Sequence, residues 1–230
     1  MPNTNLFDFQ GLQYLIRYPA DYKEGGKYPV IIFLHGAGTR GTDINALINN
    51  AYFKITEKHE DFPFITVAPQ CSADFWFDVF ERLKGLVGKI VNEPFTDRER
   101  VYLMGASMGG YATWQLAMSL PEYFAAIVPI CGGGVYWNAA RLLHVPVWAF
   151  HGENDTAVFT EESIKMVNAV KARGGNARLT IYPNTGHDAW SATYANREVF
   201  QWLLSHKKTY DGTERENLSN GTKLDGKRYG

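Results

Sequence analysis

The chain has 230 residues, 45% of them hydrophobic and 20% charged, with a formal net charge of −1. That length and balance fit one soluble α/β domain able to bury a full sheet between helix layers. The near-neutral charge, without a Lys/Arg cluster, argues against nucleic acid as the main partner, and no apolar run approaches the roughly 18 residues of a membrane span.

Residues 1–5 show neither the basic start nor the long apolar stretch of a signal peptide. The chain as given is therefore expected in the cytoplasm, or outside it if a signal peptide has been removed. Apolar, β-branched runs then alternate with helix-like segments. Residues 12–18 read as an early strand ended by Pro19, 30–34 as a buried strand introduced by Pro29, and 64–68 as another closed by Pro69. Further strands are predicted at 101–104, 126–130, 147–150 and 178–182, and helices at 77–91, 108–120, 161–172 and 189–205. Cys71 and Cys131 are too few for a disulfide framework and lack metal-ligand spacing, so they read as a reduced, mostly buried pair; neither metal nor cofactor is expected. Residues 206–230 turn polar and rich in Gly, Lys and Asn, which predicts a weakly structured tail behind a catalytic domain at 1–205. Two Asn-x-Ser/Thr sequons, at Asn217 and Asn220, fall in that tail, where chance is the simpler explanation.

The alternation predicts a mostly parallel sheet with helices on both faces, whose ligands bind at the carboxyl ends of the strands. Several strands end in polar, Gly-rich clusters: His35 to Gly38, Gly105 to Gly110, Gly132 to Gly134, His151 to Asp155 and Asn184 to Asp188. The most informative is Gly105-Ala106-Ser107-Met108-Gly109. It lies between a strand and a helix, the setting in which G-x-S-x-G is a nucleophile elbow that lifts the serine Oγ to the tip of a tight turn.

A serine hydroxyl needs a base to take its proton, and the base needs a third group to orient it. The loop after 147–150 offers Asp155, with Glu153 as second choice. The loop after the last strand offers His187. His59, His144 and His206 lie away from strand ends, and His35 and His151 open Gly turns, where shaping the loop is the expected role. Asp188 adjoins His187 too closely to orient its ring and suits the N-cap of the last helix. An oxyanion hole needs two backbone N–H donors. Met108, directly after the serine, is one; Ala37, in the Gly36-Ala37-Gly38 turn, is the other.

With these residues in place the chain resembles the α/β-hydrolase superfamily, and within it the small serine esterases often labelled predicted peptidases, related to feruloyl esterases and polyhydroxybutyrate depolymerases. The matching segments are FLHGAGTRGTD, VAPQC, VYLMGASMGGYATWQLAMSLPEYFAAIVPICGGG, VPVWAFHGENDTAV and YPNTGHDAWSATY, in family order from about residue 28 to 204. The resemblance implies Ser107 as nucleophile, Asp155 as triad acid, His187 as base, and Ala37 and Met108 as oxyanion donors. Ala106 and Phe159 depart from the residues common in relatives, which bears on local loop shape and leaves the chemistry alone.

The implied activity is hydrolysis of carboxylic esters, EC class 3.1.1, through an acyl-enzyme. No insertion is long enough for a large lid domain, so an open site is expected, suited to short-chain, aryl or feruloyl esters, or to acetyl esters on polysaccharides. Trp76, Phe77, Tyr136, Trp137 and Trp190 neighbour the active-edge loops as candidate substrate contacts, with core packing as the competing expectation for each ring. A serine peptidase on the same triad and a catalytically silent binding module are the rival readings.

Overall fold

Side chains alternate along a β-strand, and that period divides the interior in two. In β3 (Tyr28–Leu34), Val30, Ile32 and Leu34 enter one hydrophobic cluster, while Ile31 and Phe33 enter the other. A strand buried on both faces reads as a continuous apolar run, as parallel strands do when helices cover them above and below. The computed structural model describes residues 4–209. Its other strands are β1 (Thr4–Phe9), β2 (Leu12–Arg17), β4 (Ile65–Pro69), β5 (Thr96–Ala106), β6 (Ala126–Ile130), β7 (Val147–Gly152) and β8 (Ala177–Tyr182). They form one sheet in the order β1-β2-β4-β3-β5-β6-β7-β8. The β1–β2 and β2–β4 pairings are antiparallel, and the rest are parallel. The carboxyl ends of β3 to β8 therefore share one edge, as the alternation predicted.

The helices are α1 (Ile44–Ile48), α2 (Ala51–Thr56), α3 (Phe80–Val91), α4 (Met108–Ser119), α5 (Thr160–Ala172), α6 (Trp190–Ala195) and α7 (Arg197–Leu204). Leu83 of α3, Leu116 of α4 and Met166 of α5 join the cluster on one face of the sheet. Leu47 of α1, Phe53 of α2, Tyr194 of α6 and Phe200 of α7 join the cluster on the other. This is the α/β-hydrolase arrangement, with no lid over the strand ends among the described residues. No helix described is long and apolar enough to cross a membrane.

Several expected elements change. β1 is an additional edge strand, joined to β2 by a two-residue turn at Gln10-Gly11 with both φ angles positive. Helices α1 and α2 are also additional; each is capped by a side chain, Asp43 accepting from the Asn45 N–H and Asn50 from the Tyr52 N–H. The first turn of the segment at 77–91 is a 3-10 turn, Trp76–Val79, ahead of α3. The expected helix at 189–205 is two helices, because Asn196 leaves helical geometry and caps α7 through the Glu198 N–H. Asp188, expected at the N-cap of the last helix, stands one residue before the N-cap of α6, Ala189, and accepts from the Ser191 N–H at 2.9 Å. Of the predicted tail, residues 206–209 lie against β5: the Tyr102 hydroxyl donates to the His206 carbonyl at 2.9 Å and the Lys208 N–H to that of Glu99 at 2.8 Å. The remainder, with Asn217 and Asn220, lies outside the described residues.

Replacing Asn196 by Ala removes the cap of α7 and should lower stability by about 1 kcal/mol in urea unfolding; an unchanged midpoint would argue against the cap.

Candidate active site

The β5–α4 junction is built by close backbone contact. Ser107 sits between β5 and α4 at φ 55° and ψ −118°, a left-handed conformation that a non-glycine residue rarely adopts. Its N–H donates to the Ile130 carbonyl at 2.9 Å, so β6 holds the turn from one side. The first turn of α4 presses on β3 from the other: a Cβ at Gly109 would lie 1.9 Å from the Leu34 oxygen. Only glycine permits that approach.

Three loops bring the polar side chains together. His187 Nε2 lies 2.9 Å from Ser107 Oγ, and His187 Nδ1 lies 2.7 Å from Asp155 Oδ2. The other Asp155 oxygen accepts the N–H groups of Ala157 and Val158 at 2.9 and 3.0 Å. Burial pushes the Asp155 carboxyl upward, but the hydrogen bonds from His187, Val158 and Ala157 outweigh it and hold the group below the ordinary carboxylate range. Asp155 thus stays an anion that accepts from Nδ1 and leaves Nε2 to accept from the serine. The loops of acid and base meet at Gly152, where a Cβ would come within 2.0 Å of the Gly186 oxygen. Glu153, the second-choice acid, instead accepts the Asn184 N–H at 2.9 Å.

His151 lies directly behind the acid. It is fully buried, with Nε2 facing the Val158 carbonyl at 2.9 Å and Asp155 Oδ2 at 3.2 Å, and Nδ1 on the Ser163 hydroxyl at 2.7 Å. Two acceptors around Nε2 require a hydrogen there, so His151 supports the acid loop.

Gly36, Ala37 and Gly38 border the same cavity as Ser107, a space of about 300 Å3 that Phe33, Asn50, His187, Trp190 and Tyr194 also line. Met108 opens α4 and Ala37 opens a 3-10 turn, Ala37–Thr39, so neither N–H has an acceptor inside its own helix. The turn itself is clamped. His35 Nδ1 donates to the Gly36 carbonyl at 2.7 Å while Nε2 accepts the Cys71 N–H at 2.9 Å. Trp76 Nε1 donates to the His35 carbonyl at 3.0 Å, Asn50 Nδ2 to Thr39 Oγ1 at 2.9 Å, and Gln70 Nε2 to the Thr39 carbonyl at 3.2 Å. Of these clamps, Gln70, Asn50 and Cys71 carried no expected role. Their signal was a polar residue directly after a buried strand, or a potential helix cap, and neither points to a ligand.

The candidate aromatic contacts separate. Trp190 lines the Ser107 cavity, with its ring edge-on to His187 at 5.2 Å. Phe77 lines a neighbouring cleft. Tyr136 and Trp137 are exposed and T-stacked on each other at 5.2 Å, and they line neither space. Trp76 is 1% exposed, with its indole N–H donated to the His35 carbonyl and its ring packed under the turn, and it backs the same cleft as Phe77. Cys71 and Cys131 are free and buried, and burial pushes both thiols up. Cys131, Asp155 and His187 offer ligand atoms within 4.8 Å of one another, a set of metal-binding types that sequence spacing does not reveal. In this structure Asp155 and His187 are bonded to each other.

Comparisons with known proteins bear on the family and the fold. A model of the dienelactone hydrolase family matches residues 45–206. Dipeptidyl-peptidase 5 of Porphyromonas gingivalis is 22% identical over 236 residues, covering 80% of this chain and 34% of that protein. A bifunctional acetylxylan esterase/xylanase of Neocallimastix patriciarum is 26% identical over 132 residues, covering 55% of this chain and 19% of that one. A thermostable esterase of known crystal structure superposes with a TM-score of 0.76 at 31% identity, covering 89% of this chain and 63% of that one. The chain thus spans about a third or less of the two curated relatives.

Burial pushes the His35 pKa from 6.5 down to about 4. The unfolded chain therefore binds a proton between those values that the folded chain refuses, so stability should be full above pH 6.5 and fall as pH drops toward 4. The loss is on the order of 3 kcal/mol. Thermal unfolding across that range should show a slope that His35→Gln flattens; parallel slopes in the two proteins would refute the assignment.

Proposed function

Because the chain belongs to the dienelactone hydrolase family of the α/β-hydrolase superfamily, we propose that it is a serine carboxylic-ester hydrolase working through an acyl-enzyme. One observation carries the reading: an unbroken hydrogen-bond chain runs from Asp155 through His187 to Ser107, and the serine opens onto a cavity. Ser107 Oγ attacks the ester carbonyl as His187 Nε2 takes its proton. Charge gathers on the carbonyl oxygen, where the Ala37 and Met108 N–H groups receive it; one such donor is worth about 3 kcal/mol of barrier. His187 returns the proton to the leaving alcohol. Water, activated by the same ring, then releases the acid. Asp155 holds the ring in the tautomer that both steps need and balances its transient positive charge.

Short-chain or aryl esters suit a cavity of about 300 Å3, and Trp190 at its wall could stack on an aromatic group or a sugar. The likeness to an acetylxylan esterase and to a solved esterase supports ester substrates, including esters carried on polysaccharide. A peptidase on the same triad is the second reading, favoured by the likeness to dipeptidyl-peptidase 5. An amine is a poorer leaving group than an alcohol and must be protonated as it departs.

Ser107→Ala should stay folded and lose at least about 10⁴-fold in kcat on 4-nitrophenyl acetate. It should also lose labelling by a fluorophosphonate. Wild-type turnover in the variant would sink the assignment. Assayed beside peptide 4-nitroanilides, the wild-type protein should favour the ester; efficient anilide cleavage with poor ester turnover would select the peptidase instead.

A further inference from the structure

The nucleophile elbow borders two cavities. The first is lined by Ala106, Ser107 and His187 among others; the second is lined by Phe75, Trp76, Phe77, Met108 and Tyr111. Each holds about 300 Å3. An ester has two arms, and the tetrahedral adduct on Ser107 fixes where each can point. The alkoxy oxygen must face His187 Nε2, which protonates it, so the alcohol arm belongs in the cavity that His187 and Trp190 line. The oxyanion turns to the N–H groups of Ala37 and Met108. The acyl carbon takes the remaining direction, and the second cleft begins at Met108, the residue after the nucleophile.

We propose that the cleft of Phe75, Phe77, Met108 and Tyr111 is the acyl subsite and takes an apolar acyl group of benzoyl size. The assignment rests on the ester-hydrolase reading above. The cleft is apolar, and its wall is built to stay open. Trp76 is locked in the core by its bond to the His35 carbonyl. Asp78 accepts the Phe75 N–H at 2.9 Å and closes the 3-10 turn. The two neighbours of Trp76 are thereby held outward, Phe75 56% and Phe77 52% exposed. Exposed rings fixed on one tight turn beside the nucleophile present apolar surface already ordered for a ligand, so little entropy is lost when one binds. Phe77 is then a specificity residue, and Trp76 is the positioning residue that presents it.

The test compares substrates that differ in one arm. 4-Nitrophenyl benzoate and acetate share the alcohol; 1-naphthyl and phenyl acetate share the acyl group. Phe77→Ala should lower the benzoate-to-acetate ratio of kcat/KM at least fivefold while moving the naphthyl-to-phenyl ratio less than twofold. Ala51→Leu, in the first cavity, should do the reverse. An acyl ratio that Phe77→Ala leaves within twofold, or that Ala51→Leu changes instead, would overturn the assignment. If Ser107 is labelled by fluorophosphonate but no ester turns over, the esterase reading fails separately. The subsite is then read from inactivation of Ser107 by benzyl- and methylphosphonate esters, where Phe77→Ala must lower the benzyl-to-methyl rate ratio at least fivefold or the proposal falls.

Discussion

The site depends on how closely the first turn of α4 approaches the end of β3. Gly109 lies so near the Leu34 carbonyl that a methyl group there would sit 1.9 Å from its oxygen. That contact sets the elbow against the turn that follows β3. A Cβ at Gly36 would lie 3.3 Å from the Ala106 oxygen and 3.5 Å from the Ser107 Cβ, so the turn after β3 runs directly beside the elbow. The positive φ of Ser107 belongs to the same constraint: the chain reverses from strand to helix in one residue, and β6 pins that residue through the Ile130 carbonyl. Strain of this kind costs about 1–3 kcal/mol and persists where its surroundings over-determine it.

Around this contact the two halves of the site are held by different means. The turn at 36–39 is clamped chiefly by neutral groups, the His35 ring between the Cys71 N–H and the Gly36 carbonyl, Trp76 on the His35 carbonyl, Asn50 and Gln70 on Thr39, and the exposed Arg40 guanidinium donates to the Ala37 carbonyl. All aim at backbone or hydroxyl, so the turn gains rigidity without a buried charge. The other half carries the charge. Asp155 is buried as an anion because three hydrogen bonds offset its desolvation, and His151 closes the space behind it. On the proposed mechanism this division is useful: N–H dipoles that are already fixed need no reorganisation when the oxyanion forms, while the buried Asp155 anion faces the ring that becomes a cation.

Much of this was legible in the sequence. Strands β3, β6 and β7 and residues 101–106 of β5 are buried on both faces, so each announces itself as an apolar run, and the polar residues directly after them mark the active edge. Ser107 and Asp155 follow β5 and β7, His187 follows the more exposed β8, and the three side chains come together. What escaped had physical reasons. β1 is an exposed edge strand whose signal is its turn rather than a hydrophobic run. Helices α1 and α2 are five and six residues long, too short for a period to show. Asn196 could equally have been a polar residue on a continuous helix face; only its cap bond reveals the break. Trp76 and Phe77 are adjacent and similar in the sequence, yet one is core and the other rim, because a 3-10 turn points them apart. Gln70 owes its importance to Thr39, far along the chain, and His151 to a loop that folds Asp155, Val158 and Ser163 around its ring; a single sequence shows neither.

On the proposed mechanism this backbone contact presents two N–H groups, those of Ala37 and Met108, to one oxygen on a substrate bonded to Ser107. A crystal structure of the protein phosphonylated at Ser107 tests it most directly. The account predicts a phosphoryl oxygen about 2.7–3.1 Å from both nitrogens, with the elbow and the turn at 36–39 unmoved. A phosphoryl oxygen turned to solvent, or a turn that must rearrange before either N–H reaches it, would contradict the account.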